Sequence, residues 1–172
     1  MGYLLKKKLL NVSDKPSFDM LIRNQLKMRC LFDTGADTPV FTLGDDALCK
    51  YFPDAQFEKE LTYILSGFGK GSEEASVYKI PQFILKSDFD DDYIQFNNLY
   101  VASCFRPVLA YPFILSATMF GHMNYMIVNE GNDAKCIKIQ HSKLLYNIGI
   151  VSSKLDSTKL AKVYSFMEGS CD

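Results

Sequence analysis

Short apolar runs, many alternating with polar residues, fill most of the chain, and glycine, proline, asparagine and aspartate divide them. Such runs predict strands, because successive side chains on a strand point to opposite faces. Tyr3 to Leu10 is the first. Phe18 to Ile22 and Leu26 to Phe32 follow, with Asn24-Gln25 between them as a hairpin turn. The second of these runs leads directly into Asp33-Thr34-Gly35-Ala36-Asp37. Small and acidic residues after an apolar strand mark a tight turn. Pro39 bars a regular helix there, and Val40-Phe41-Thr42 resumes an extended pattern. Asp45 to Phe52 predicts a short helix, with Gly44, Asp45 or Asp46 as its cap and Pro53 just beyond its end.

Further along, Phe57 to Leu65 and Ala75 to Leu85 are strand-like and flank Ser66-Gly67-Phe68-Gly69-Lys70-Gly71-Ser72. Two strands joined by a glycine-rich tip predict a long hairpin. Tyr93 to Cys104 is strand-like again, and Phe113 to Phe120 is an apolar run ending in one helical turn. Met123 to Val128 and Lys135 to Gln140 flank a turn at Asn129 to Asp133. In the tail, Leu155, Leu160, Ala161, Tyr164 and Met167 fall near helical spacing and predict an amphipathic helix over Ser153 to Met167. The expected organisation is one mainly β domain over residues 1–145 with one or two short helices. A helical extension over 146–172 belongs to the same unit.

Composition narrows the class. The 172 residues suit one domain with a real core. A formal net charge of −1 provides no basic footprint for nucleic acid and no acidic tail. Thirteen Phe and ten Tyr, with no Trp, lean toward β structure. The longest apolar stretch, Val108 to Phe120, is interrupted at Pro112 and is too short to cross a bilayer. Lys6-Lys7-Lys8 lies between short apolar pairs, the wrong order for a signal peptide, and Lys6 stands where a myristoylation motif needs Ser or Thr. Cys30, Cys49, Cys104, Cys136 and Cys171 are odd in number, widely spaced and lack a CxxC pair. That pattern suits a reduced cytoplasmic protein and neither a disulfide framework nor a zinc site. His122 and His141 have no ligand-spaced partner. No metal or organic cofactor is expected.

Asp33-Thr34-Gly35 carries the candidate chemistry. An acid at the end of a buried strand is partly desolvated, and burial raises a carboxyl pKa because the charged form loses water. Two such acids held side by side cannot both ionise and share a proton. The ionised one then takes a proton from water, while the neutral one donates to a substrate carbonyl oxygen. Thr34 is expected to fix the turn through its hydroxyl. Gly35 lets the backbone approach the partner acid and the substrate.

Leu31 to Val40 resembles the active-site segment of retropepsins, the aspartic proteases of retroviruses and mobile elements, and of their cellular relatives. That segment has a hydrophobic pair followed by Asp-Thr-Gly-Ala, often with a further Asp, a place taken here by Asp37. The resemblance implies that Asp33, Thr34 and Gly35 form the catalytic loop, that Ala36 lines the site and that Asp37 binds substrate backbone. Ser66, Gly67, Phe68 and Gly69 resemble the flap that closes over the substrate. Phe113 to Phe120 resembles the later hydrophobic-hydrophobic-Gly segment that passes beneath the catalytic loop, with Ser116 where the family usually has Gly. The match covers roughly residues 18–128. It implies a closed-barrel-like acid protease lobe and a protein or peptide substrate.

No second Asp-Thr-Gly or Asp-Ser-Gly occurs, and Asp156-Ser157-Thr158 lacks both the glycine and the apolar lead-in. The second acid is therefore expected from another subunit, through a two-fold homodimer with both Asp33 residues on the axis. The alternative reading is a catalytically silent domain of the same fold that binds peptide or dimerises. Two weaker signals are set aside. Asp88 to Asp92 has alternating acids, but Tyr93 and Leu99 stand where a calcium loop needs Gly and Glu. Gly67 to Ser72 lacks the Gly-Lys-Ser order of a phosphate loop.

Overall fold

The computed structural model describes residues 3–10, 15–22, 26–66, 71–107, 111–120, 125–130, 133–141 and 144–146. Among them the chain forms two sheets. The smaller is antiparallel, in the order β1 (Tyr3–Lys8), β10 (Asp133–His141), β9 (Tyr125–Glu130). The larger runs β2 (Ser17–Ile22), β3 (Leu26–Asp33), β8 (Phe113–Ser116), β4 (Val40–Phe41), β7 (Tyr93–Ser103), β6 (Glu73–Lys86), β5 (Gln56–Leu65). A last strand, β11 (Leu144–Tyr146), adds in parallel to β7. The mainly β expectation holds. So does the helix, α1 (Asp45–Tyr51), and the helical turn, a 3-10 turn at Ala117–Phe120. The amphipathic helix expected over Ser153 to Met167 lies outside the described residues. No helix among the described residues is long and apolar enough to cross a membrane.

The closed barrel implied by the resemblance is not what forms. The strand path begins at β2 and ends at β5, and these two edges do not pair among the described residues. The sheet instead curls, so that Met20 and Ile22 of β2 join Ile80 and Phe83 of β6 in one core through side chains and not through a ladder. Alternation explains much of this. Phe18, Met20 and Ile22 point inward while Leu21 is exposed. Alternation breaks where β6 and β7 bend together. The inward face passes from Ile80 to Phe83 and, opposite, from Phe96 to Leu99. Pro81 and Asn98 lie in those steps. Proline has no N–H for the ladder, and Asn98 takes φ +55, a conformation asparagine tolerates.

The main core is aromatic. Phe18, Phe32, Phe41, Phe96, Phe113 and Phe120 are fully buried, and Phe113 packs on Phe83, Phe41 and Phe52 with ring centroids 5.4, 6.4 and 6.1 Å away. Gly44 precedes α1 at φ +85, and the cap is made without a side-chain bond. Asp45 and Asp46 in the first turn face the positive end of the helix dipole. The acidic segment after β6 is not simply solvated. Asp88 receives the buried Lys7 ammonium at 2.7 Å and the Lys8 N–H at 2.7 Å, and Asp90 pairs with Lys6. That segment therefore covers the edge of β1 that β10 leaves open.

Candidate active site

β3 is buried along Cys30, Leu31 and Phe32 and ends at the half-buried Asp33. It runs parallel to β8, with Asp33 opposite Ser116. The turn that follows is closed by Asp33 itself. Its Oδ1 accepts the Gly35 N–H at 2.9 Å, and its carbonyl accepts the Ala36 N–H at 3.4 Å. A Cβ on Gly35 would stand 3.4 Å from that same Oδ1, in van der Waals contact with the carboxylate. The Thr34 hydroxyl, expected to fix the turn, has no hydrogen-bond partner among the described residues. Thr34 and Gly35 are exposed in the single chain.

β8 and the 3-10 turn brace the loop from below. Ser116 is fully buried, and its hydroxyl donates to the Ala36 carbonyl at 2.5 Å and accepts the Thr118 N–H at 3.1 Å. The Thr118 hydroxyl donates to the Asp37 carbonyl at 2.9 Å. The departure from glycine at Ser116 thus has a use: the side chain ties two loop carbonyls, directly and through Thr118, to the strand beneath them. A second, smaller core of Leu31, Val40, Leu65, Ala75, Ala102, Cys104 and Ile114 supports the same region.

Asp33, Gly35, Ala36 and Asp37 line a cleft of about 390 Å³ whose far wall is Tyr63, Ile64, Leu65 and Ser66 at the end of β5. The hairpin expected over the catalytic loop is present as the β5–β6 pair, in register from Leu65 opposite Glu73 to Thr62 opposite Ser76. Ser66 is therefore brought to the loop, whereas Gly67, Phe68 and Gly69 lie outside the described residues. Next to the hairpin tip, Glu73 pairs with Arg106 at 2.5 Å. Burial, reinforced by Glu73 and opposed by Arg106, pushes the nearby Cys104 thiol up to about 11. Cys30, Cys49, Cys104 and Cys136 are free. No cluster of three or more His, Cys, Asp or Glu able to hold a metal occurs among the described residues.

Sequence reasoning missed Tyr63 and Thr118. Tyr63 is half-buried in the cleft, and its phenol is held above its ordinary pKa by burial first and by the Asp37 carboxylate second. The alternation of Phe57 to Leu65 puts Tyr63 on the same face as Leu65, which was the available signal. Nothing local distinguishes Thr118.

No protein-family model and no curated protein matches the chain. Among solved structures, the fold is similar to the crystal structure of a retropepsin-like aspartic protease from Rickettsia conorii. The TM-score is 0.50 over 81% of this chain and 92% of that one, at 14% sequence identity. At that identity the likeness is one of fold.

Proposed function

We propose that the chain is an aspartic endopeptidase that works as a homodimer, each copy contributing Asp33. One observation carries the reading. Asp33 ends a buried strand, is oriented by the Gly35 N–H, and lies in a cleft facing the β5–β6 hairpin. With two Asp33 carboxyls across a two-fold axis, one is ionised and one protonated. The ionised carboxylate takes a proton from a water molecule, whose oxygen bonds to the peptide carbonyl carbon. The neutral carboxyl gives its proton to the carbonyl oxygen. Collapse of this tetrahedral species breaks the C–N bond, the amide nitrogen leaves with a proton from the dyad, and a carboxylic acid and an amine result.

Two further observations support a second copy. Thr34 and Gly35 are open to solvent beside Asp33 in the single chain. Tyr125 at the start of β9 packs edge-on to Phe32, at 5.1 Å between ring centroids, yet stays 43% exposed. β9 is an outer strand of its sheet next to the proposed axis, while the outer edge of β1 is already covered by Ser87 and Asp88. The test is digestion of a peptide library by wild type and by Asp33→Ala, with sedimentation on both. Cleavage by wild type alone, with both proteins dimeric, is expected. Equal cleavage by the two overturns the proposal.

A further inference from the structure

Asp37 differs from the other acids around the cleft. Glu73 is neutralised by Arg106, and the Asp33 carboxylate accepts the Gly35 N–H. The Asp37 side chain is exposed and has no ion-pair or hydrogen-bond partner among the described residues, while its own backbone carbonyl is pinned by Thr118. Its backbone is therefore held from below while its carboxylate is left uncompensated. Among the described residues lining the cleft, Asp33 and Asp37 are the charged ones, and no Lys or Arg joins them.

Two more groups share this end of the cleft. Tyr63 presents a phenol from β5, and its raised pKa, owed partly to Asp37, puts the two within electrostatic reach. Thr38, next to Asp37, also lines the cleft, is 2% exposed, and its Oγ1 has no hydrogen-bond partner among the described residues. A buried hydroxyl left unpaired is costly, and an N–H donor entering beside it relieves that cost. An unpaired carboxylate, an aromatic ring and an acceptor oxygen together suit a cationic side chain.

The geometry points to Asp37, Tyr63 and Thr38 as a subsite for a lysine or arginine side chain of the substrate, beside the bond cut at Asp33. This rests on the endopeptidase reading and adds a substrate class to it: peptides with a basic residue near the scissile bond. The carboxylate supplies the charge, the ring holds the aliphatic stem and the cation, and Thr38 accepts one N–H.

The test compares arginine with citrulline, its neutral isostere, at each position of a peptide library. At one position on either side of the cut, arginine is expected to raise kcat/KM by about tenfold over citrulline, the combined effect of one ion pair and one cation–π contact. In Asp37→Asn that ratio falls toward one whatever the absolute rate, and in Tyr63→Leu it falls part of the way. Retention of the same library on immobilised Asp33→Ala protein, with and without Asp37→Asn, reads the preference without catalysis. Equal handling of arginine and citrulline at every position overturns the subsite, as does a preference that survives Asp37→Asn. Failure of the endopeptidase reading looks different: wild type cuts nothing, while selective retention is still measured.

Discussion

Replacing Ser116 with alanine removes one oxygen from the floor of the site and is expected to cost both stability and rate. The hydroxyl is fully buried and serves the Ala36 carbonyl at 2.5 Å and the Thr118 N–H at 3.1 Å. A hydrogen bond of this kind contributes about 1 kcal/mol net, and stranding two backbone groups brings the loss to about 2–3 kcal/mol. For a chain of this size that lowers Tm by roughly 5–9 °C at fixed protein concentration. The same change frees the carbonyl of Ala36, three residues past Asp33, so kcat is expected to fall by about ten- to a hundredfold with little change in KM. Thr118→Val removes the neighbouring tie to Asp37, and the double variant loses less than the sum of the singles because the two hydroxyls belong to one network. Thermal denaturation and single-turnover cleavage measure both quantities. A Ser116→Ala protein with wild-type Tm and kcat refutes the bracing role.

Phe113→Ala leaves a void where three aromatic rings converge and should cost about 3–5 kcal/mol in urea denaturation. Asp88→Ala strands the Lys7 ammonium, which is only 3% exposed, and should cost about 3 kcal/mol, whereas Lys7→Met should cost far less; equal losses argue against the buried pair. The Cys104 thiol, raised to about 11 in the folded chain, contributes stability that is present below its unfolded value of 9.0 and lost as pH rises toward 11. Cys104→Ala should flatten the alkaline limb of the stability curve across that window. In the native protein, iodoacetamide should modify the exposed Cys49 well before the buried Cys104, as peptide mapping will read.

Most strands were legible because one face of each is buried and alternation survives, as in Phe18, Met20 and Ile22. The β5–β6 hairpin and the helix after Gly44 were legible from glycine and proline punctuation. The bend at Pro81 and Asn98 was not, since it appears as two apolar residues three apart in each strand, a spacing that a local pattern assigns to neither face. The open sheet was also hidden: whether β2 meets β5 by hydrogen bonds or passes over β6 depends on curl accumulated across several strands. At the site, Asp33 and Gly35 were readable from the turn they close, whereas Asp37 was readable only through the resemblance. Tyr63 and Thr118 stand 26 and 81 residues from Asp37 in the sequence, and only the fold brings them there.

The shared dyad is the central claim, and mixing tests it most directly. Wild-type and Asp33→Ala chains are combined at constant total concentration and allowed to exchange subunits before cleavage is measured. If each site needs one Asp33 from each copy, activity follows the square of the wild-type fraction, so an equal mixture retains about one quarter of the rate. A rate that falls in simple proportion, to about one half, means that one chain suffices and contradicts the account.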